Sequence, residues 1–212
     1  MRINILTNTP NLNMISKLQS ALIKKRKHVG VFYHEDNLPP ALYSPTTLIM
    51  VEYGKKLCDA KINRYKNSGG HVFNIHRADP SEYRGASVLN HQILNGDSHI
   101  SPSIIRVNTN EGFDTGKVYA QERVDITNLI YSEVVDACRE TYLNLILSAV
   151  RGSIKRNNAC SKLCKRRTPS DSELFLSEQD LRIIRASDND RFPAFFMLGG
   201  RKYTLKVESS PL

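Results

Sequence analysis

The sequence predicts an α/β fold: a Rossmann-like, mostly parallel sheet flanked by helices, followed by a small C-terminal helix and β-hairpin. Short apolar strand patterns alternate with helical patterns through the first 150 residues, as in parallel βαβ units. The 212 residues, 40% of them hydrophobic, suffice for one sizeable core and a small appendage. We therefore expect a main domain at 1–150 and a C-terminal extension at 151–212.

The elements of the main domain follow from apolar periodicity and from turn residues. The run at 47–51 is almost wholly apolar, which favours a strand buried on both faces, whereas the polar stretch at 67–70 ends a helix. Thr127 is the expected cap of the longest helix, whose apolar residues keep to one face. The predicted strands are at 2–7, 29–33, 47–51, 71–76, 103–107 and 118–124, and the predicted helices are at about 12–23, 55–66, 87–94 and 128–150.

The C-terminal extension differs in composition from the main domain. Residues 151–172 are polar and basic, which is typical of a connector, and 177–186 form a predicted helix. Gly199 and Gly200 then separate two runs of alternating residues. A Gly-Gly pair in that setting is a strong hairpin signal, so the extension is predicted to end in a β-hairpin.

Three polar side chains are expected to meet at one edge of the sheet. Asn74 and His76 lie two residues apart at the end of the strand at 71–76, so they point to the same face. Asp114 lies in the turn-rich loop at 108–116 that follows the next strand. If this loop lies beside the end of the first strand, the three side chains share the place where open α/β sheets usually bind ligands.

These three side chains suit the transfer of an acyl group to an amine. A carboxamide such as Asn74 donates a hydrogen bond to a carbonyl oxygen as it gains negative charge, an effect of about 3 kcal/mol in acyl transfer. A neutral imidazole such as His76 removes a proton from the attacking amine, typically contributing about 10²–10⁴-fold in rate. The Asp114 carboxylate would orient the ring. An Asn-x-His pair at a strand end is commonly a turn residue beside a surface histidine, so the spacing alone does not establish a site.

Four blocks of sequence resemble the signature of the folate-dependent formyltransferases, in the same order and with similar gaps. They are Asn74-Ile75-His76, Tyr83-Arg84-Gly85-Ala86-Ser87, Leu94-Asn95-Gly96 and Phe113-Asp114-Thr115-Gly116. The resemblance implies transfer of the formyl group of 10-formyltetrahydrofolate to a primary amine. It places Asn74, His76 and Asp114 at the positions of the family's conserved catalytic residues and makes 1–150 the catalytic domain.

The same resemblance implies a set of binding residues and no metal. The stretch Arg-Ala-Asp-Pro at 77–80 departs from the Ser and Leu-Pro that the family commonly has after the histidine, so it bears on the choice of substrate. The implied cofactor-binding residues are Tyr53, Gly54, Arg84, Gly85, Gly112 and Phe113, and the implied substrate-binding residues are Arg77, Tyr83 and Ser87.

Two further strings resemble those that follow the catalytic domain of sugar N-formyltransferases: Arg166-Arg167-Thr168-Pro169 and Phe192-Pro193-Ala194-Phe195-Phe196. This narrower resemblance implies a nucleotide-linked amino-deoxysugar as acceptor, for example a dTDP-4-amino-4,6-dideoxyhexose, and a homodimer. Two alternatives within the chemistry are a glycinamide ribonucleotide formyltransferase and a methionyl-tRNA formyltransferase. The first is not expected to end in such a helix and hairpin, and the second normally carries a larger C-terminal β-barrel.

The net charge of +9 favours an anionic partner. The excess lies mainly at 24–28, 151–156 and 162–167, and a nucleotide-linked sugar, a polyglutamylated folate or a nucleic acid would each suit it. An alternative from another class is a basic nucleic-acid-binding module on a degenerate catalytic scaffold. Because Asn74, His76 and Asp114 are all present and no aromatic-basic stacking motif appears, no nucleic-acid partner is expected.

Composition also bears on the compartment. No apolar run approaches the roughly 20 residues that span a bilayer, and the first residues are too polar for a signal peptide. We therefore expect a soluble, cytoplasmic protein without a membrane partner. Of the four cysteines, Cys160 and Cys164 are spaced like half of a zinc site, but no second ligand pair follows, so reduced thiols are favoured.

Overall fold

The computed structural model describes residues 2–25, 27–40, 42, 44–109, 112–152, 163–172, 174 and 176–208. The chain divides into two compact units, Met1–Arg166 and Arg167–Leu212. The functional division at residue 150, into a catalytic domain and an extension, stays a prediction.

The first unit alternates strands and helices along most of its length. In chain order its elements are β1 (Arg2–Leu6), α1 (Leu12–Lys24), β2 (His28–Phe32), β3 (Thr46–Met50), α2 (Asp59–Asn67), β4 (Val72–His76), β5 (Arg84–Gly85), α3 (Val88–Leu94), β6 (His99–Ile100), β7 (Ser103–Arg106), β8 (Val118–Gln121), β9 (Val124–Asp125), α4 (Tyr131–Glu140), α5 (Tyr142–Val150) and β10 (Leu163–Cys164).

Six strands form the central sheet, in the order β2-β1-β3-β4-β7-β8. The first four are parallel, and β7 and β8 are each antiparallel to their neighbours. All five residues of β3 are buried, as expected for a strand that has neighbours on both edges and helices on both faces. The predicted α/β class with a mainly parallel sheet is confirmed.

Alternation along the strands separates the core into two layers. Ile49 and Phe73 belong to the layer covered by α1, α4 and α5, whereas Leu48 and Val72 belong to the layer covered by α2. Successive side chains of a strand point to opposite faces, so Asn74 and His76 lie on the same face of β4 as Val72. This face carries the candidate site.

The predicted helix at 128–150 is wrong in extent, because the chain forms two helices that meet at Thr141. The Thr141 hydroxyl donates to the Cys138 carbonyl oxygen at 2.8 Å, and such bonds to a preceding turn of helix bend or interrupt it. Thr127 is not the cap: Asn128 has a left-handed φ of 60°, and the Glu133 carboxylate accepts the Ile130 N–H at 3.0 Å where α4 begins.

Two further boundaries differ from the prediction. The helix predicted at 55–66 begins only at Asp59, because Leu57 is buried in the α2 layer of the core and Cys58 is extended. The strand predicted at 118–124 ends at Gln121. The next residue donates its N–H to the Pro102 carbonyl, which redirects the chain into β9, the antiparallel partner of β6.

The second unit contains α6 (Glu178–Ala186), β11 (Phe195–Leu198) and β12 (Arg201–Thr204). Ser177 caps α6 by accepting the Asp180 N–H at 3.2 Å, and Asp180 accepts the Ser177 N–H in return, so this end forms a capping box. Gly199 and Gly200 have φ values of 57° and 72°, as a tight hairpin turn requires. The predicted C-terminal helix and hairpin are confirmed.

Within the described residues, every helix is too short or too polar to cross a lipid bilayer.

Candidate active site

A cavity of about 720 Å³ opens in the first unit at the carboxyl ends of β3 and β4. Its size is in the range of about 300–1,000 Å³ that is usual for small-molecule sites. Tyr83 and Arg84 lie outside its lining. The other predicted site residues all line it: Tyr53, Gly54, Asn74, His76, Arg77, Gly85, Ser87, Gly112, Phe113 and Asp114.

The structure brings the three predicted catalytic residues together around the Asp114 carboxylate. Asn74 Nδ2 donates to Asp114 Oδ1 at 3.1 Å, and the Gly85 N–H donates to Asp114 Oδ2 at 3.0 Å. His76 Nδ1 lies 3.3 Å from the same Oδ2. The His76 and Asp114 side chains are only 5% and 8% exposed, so both carboxylate oxygens face protein donors rather than water. The catalytic roles of the three residues stay predictions.

The geometry of the His76 ring restricts its chemistry. Nε2 lies 2.7 Å from the Tyr83 carbonyl oxygen, which can only accept, so Nε2 carries a proton. Nδ1 faces Asp114, and a favourable contact there needs a proton on the ring or on the carboxyl group. Neither ring nitrogen therefore presents a lone pair to the cavity. For the predicted role as base, the ring must either leave the Tyr83 carbonyl with its hydrogen on Nδ1 instead of Nε2, or leave Asp114 so that the Nδ1 lone pair faces the cavity.

The loop that carries Asp114 is held by close backbone contacts. Asp114 has a left-handed φ of 56°, a conformation that Asp and Asn tolerate better than most residues. A Cβ at Gly116 would lie 1.6 Å from the Arg106 carbonyl oxygen, so only glycine lets the loop approach β7 this closely. The Thr115 hydroxyl donates to the Gly112 carbonyl at 3.0 Å and closes the turn. These contacts aim Asp114 at β4.

Gly85 joins the same arrangement from the other side. Its φ is +96°, and a Cβ would lie 2.6 Å from Leu163 Cδ1 and 3.0 Å from the Cys164 carbonyl oxygen. Leu163 and Cys164 form β10, which pairs in parallel with β5 and lines the cavity. The sequence patterns did not predict that residues 163–164 of the connector pair with the strand that contains Gly85. Cys160 lies outside the described residues, and burial raises the pKa of the Cys164 thiol.

The predicted cofactor-binding residues occupy different surroundings. The Tyr53 side chain packs in the α2 layer of the core, and this burial raises its pKa. The Gly54 N–H donates to Asn8 Oδ1 at 3.3 Å, while Phe113 is 55% exposed. Arg84 lies close to the loop, because a Cβ at Gly112 would be 3.8 Å from Arg84 Nη1.

The predicted substrate-binding residues are also held differently from one another. The Tyr83 hydroxyl accepts from Asn95 Nδ2 at 2.8 Å, outside the cavity. Ser87 lines the cavity at the start of α3, with a left-handed φ of 54°. Arg77 lines the cavity and contacts two partners, the Glu52 carboxylate and the Tyr142 hydroxyl.

Glu52, which sequence reasoning missed, is the centre of a second charged cluster. Besides Arg77, it accepts a fork from Arg139, with Nε at 2.9 Å and Nη2 at 3.1 Å, and it contacts the Tyr142 hydroxyl at 3.2 Å. Burial acts to raise the pKa of Glu52, but the Arg139 hydrogen bonds and the Arg77 charge outweigh it and lower the pKa to about 2. An acid directly after a buried strand was the available signal.

Among the described residues, no group of three or more His, Cys, Asp or Glu side chains is arranged to hold a metal ion.

A family model described as Formyl transferase matches residues 24–150. A methionyl-tRNA formyltransferase from Finegoldia magna is 34% identical over 90 residues, which cover 42% of this chain and 27% of that relative. The chain thus matches about a quarter of the length of that relative.

Solved structures share the fold at lower identity. A methionyl-tRNA formyltransferase from Clostridium thermocellum has a TM-score of 0.65 and 19% identity, over 100% of this chain and 94% of that chain. The formyltransferase PseJ from Anoxybacillus kamchatkensis, in complex with UDP-4,6-dideoxy-4-formamido-L-AltNAc and tetrahydrofolate, has a TM-score of 0.59 and 17% identity, over 91% of this chain and 94% of that chain. Because the family model spans more than half of the chain, including Asn74, His76 and Asp114, the chain belongs to the formyl transferase family.

Proposed function

We propose that this chain transfers the formyl group of 10-formyltetrahydrofolate to the amino group of a nucleotide-linked amino-deoxysugar. The observation that carries the reaction is the contact of Asn74 and His76 with Asp114 in the wall of a cavity of about 720 Å³. Formyl-tetrahydrofolate is the donor used by the family, and PseJ was crystallised with tetrahydrofolate.

The cavity wall suits a folate. Phe113 offers a half-exposed aromatic face, and a Cβ at Gly54 would meet nothing within 4 Å, so the backbone there leaves open space. Flat, partly apolar ligands bind in cavities of this kind with a few polar groups that fix their orientation. Asn74, His76 and Asp114 are polar groups of this kind in the cavity wall.

In the proposed reaction the amine nitrogen attacks the formyl carbon, and the bond from that carbon to N10 of the folate breaks. Asn74 uses one amide hydrogen on Asp114, and its second one is available to the formyl oxygen as negative charge develops there. His76 takes the proton that the amine loses on Nε2, once the ring has left the Tyr83 carbonyl and its own hydrogen is on Nδ1, facing the Asp114 carboxylate. Asp114 keeps both side chains in place, and His76 passes the proton that it has taken to N10 as tetrahydrofolate leaves.

The experiment that tests this function is release of tetrahydrofolate from 10-formyltetrahydrofolate, measured with a panel of acceptors. The panel contains dTDP-, UDP- and GDP-linked amino sugars, glycinamide ribonucleotide and methionyl-tRNA. Release that depends on one amino sugar would support the proposal and identify the acceptor. Absence of folate binding by the full chain would contradict formyl transfer altogether.

Methionyl-tRNA is the second candidate acceptor, and two observations favour it. The Finegoldia magna relative is a methionyl-tRNA formyltransferase, and a net charge of +9 suits a polyanionic acceptor. Release of tetrahydrofolate with methionyl-tRNA but with none of the amino sugars would establish this alternative and contradict the sugar proposal.

A homodimer and a cytoplasmic location belong to the same proposal. Sedimentation of the purified chain measures the first, and a mass of one chain, 24.0 kDa, at micromolar concentration would contradict it.

A further inference from the structure

Arg77 is fixed at the cavity wall by partners on two other elements. Its Nη2 contacts the Glu52 carboxylate, just past the end of β3, and its Nε donates to the Tyr142 hydroxyl of α5 at 3.1 Å. Burial acts to lower the pKa of Arg77, but the Tyr142 and Glu52 groups outweigh it and raise the pKa. The guanidinium therefore stays charged and keeps one orientation.

Arg77 has N–H donors beyond those that its partners among the described residues occupy. A guanidinium carries five N–H donors, and the contacts with Glu52 and Tyr142 occupy one on Nη2 and one on Nε. Within the described residues, Nη1 has no hydrogen-bond partner, and the side chain, 23% exposed, lines the cavity. A charged side chain with unused donors thus lines the same cavity as the predicted catalytic residues.

The Glu52 carboxylate has a second cationic partner besides Arg77. Arg139 already binds the Glu52 carboxylate through a two-pronged fork, the stronger geometry for this pair of groups. Arg139 lies outside the lining of the cavity, and its Nη1 is paired with Asp136 at 2.9 Å. The two arginines thus differ in position: Arg139 binds both oxygens of Glu52 away from the cavity, and Arg77 lines the cavity.

We propose that Arg77 binds the diphosphate of the acceptor, and that Glu52 is the positioning residue that holds Arg77 for it. This inference rests on the proposed function, since it names the group by which the same site recognises a nucleotide-linked acceptor. A planar guanidinium binds two phosphate oxygens at once, and Nη1 with the free Nη2 hydrogen forms such a pair. The diphosphate would then lie in the same cavity as His76, with the sugar between it and the reacting amine.

The test is calorimetric titration of inorganic pyrophosphate into the full chain in the presence of 5-formyltetrahydrofolate. Arg77→Gln is expected to weaken pyrophosphate binding about tenfold or more, because a charge-assisted bidentate contact is lost, and to leave folate affinity unchanged. Arg139→Gln is the matched control. It loses the fork to Glu52, so its melting temperature should fall, but it keeps Arg77 at the wall and should bind pyrophosphate as the wild type does.

Each alternative result is informative. Equal pyrophosphate affinity in the wild type and Arg77→Gln overturns the inference, and so does an equal loss in Arg77→Gln and Arg139→Gln, which would mean a purely structural role. A phosphodiester-linked dinucleotide is the further probe. If it bound more tightly than pyrophosphate, and if this binding also depended on Arg77, the group that Arg77 binds would be the end of a nucleic acid instead of a diphosphate. Folate affinity distinguishes a failure of this inference from a failure of the proposed function. If the wild-type chain does not bind folate, the proposed function is overturned. If it binds folate but Arg77→Gln has no effect on pyrophosphate binding, only the role of Arg77 is overturned.

Discussion

Among the described residues, two carboxylates line the cavity, Glu52 and Asp114, and the groups that hold them differ. Both are almost buried, with side chains 7% and 8% exposed, and both have left-handed backbones, with φ values of 51° and 56°. Residues held in such sparsely populated conformations tend to occur at functional sites. Position and conformation therefore do not distinguish the two, and their partners do.

Glu52 and Asp114 differ in the chemical type of the groups that contact them. Arg77 and Arg139 keep their protons at any relevant pH, so above pH 4.5 the Glu52 cluster has one charge state and acts as a fixed anchor. Asp114 contacts an amide, a backbone N–H and the His76 ring. The imidazole among these groups is the predicted base, so we expect proton transfer on the Asp114 side of the cavity and orientation on the Glu52 side.

The largest expected effect comes from removing the proton-transfer groups. Asp114→Asn and His76→Asn are each expected to reduce turnover by about 10²–10⁴-fold. Asn tolerates the left-handed backbone at 114, so circular dichroism should show an intact fold. Rates of formyl transfer measured with saturating folate and acceptor check the prediction. Wild-type turnover in either variant would contradict the assignment of proton transfer to the Asp114 side of the cavity.

Asn74→Ala is expected to have the next largest effect, confined to the chemical step. The amide contributes one hydrogen to Asp114 and one to the proposed oxyanion. Loss of one such donor costs about 10²–10³-fold in kcat where it has been measured. Folate affinity, measured by titration, should stay close to that of the wild type. If Asn74→Ala instead abolished folate binding with normal circular dichroism, Asn74 would be a binding residue.

The Asp114 cluster could be anticipated from the sequence, but the Glu52 cluster could not. Asn74 and His76 occupy adjacent same-face positions of one strand, so local alternation places them together, and the resemblance to the formyltransferases supplied Asp114. The Glu52 cluster draws its residues from three regions of the chain that lie up to 90 residues apart in the sequence. They are Glu52, Arg77, and Arg139 with Tyr142. Only the packing of α4 and α5 against the ends of β3 and β4 brings them into contact.

The boundaries that differed also have local causes that periodicity does not reveal. Apolar spacing continues through Thr141 without a break, so a single long helix was predicted. The interruption depends on one hydroxyl that bonds backward to the Cys138 carbonyl. Likewise, β10 is two residues long, and its pairing with β5 depends on the absence of a side chain at Gly85. Apolar periodicity over several residues does not reveal structure that depends on one hydroxyl group or on one missing side chain.

The smallest expected effect is the part of the pH dependence of stability that Glu52 contributes. Its pKa is lowered from 4.5 to about 2 in the folded chain, so its ionised form is stabilised by folding. This contribution is fully present above pH 4.5 and is lost as the pH falls from there toward 2. A shift of this size corresponds to about 3 kcal/mol, and the Arg77 and Arg139 contacts are its source.

Glu52→Gln isolates that contribution, because glutamine does not titrate. The free energy of unfolding, measured with urea for both proteins, should differ most at neutral pH, and the difference should shrink steadily between pH 5 and pH 3. Asp136→Asn is a suitable control, since Asp136 is 72% exposed and pairs only with the outer nitrogen of Arg139; exposed pairs contribute about 0–1 kcal/mol. If the difference in unfolding free energy between the wild type and Glu52→Gln stayed constant from pH 7 to pH 3, Glu52 would not be held as an ionised anchor. The contrast between the two carboxylates would then rest on the partners of Asp114 alone.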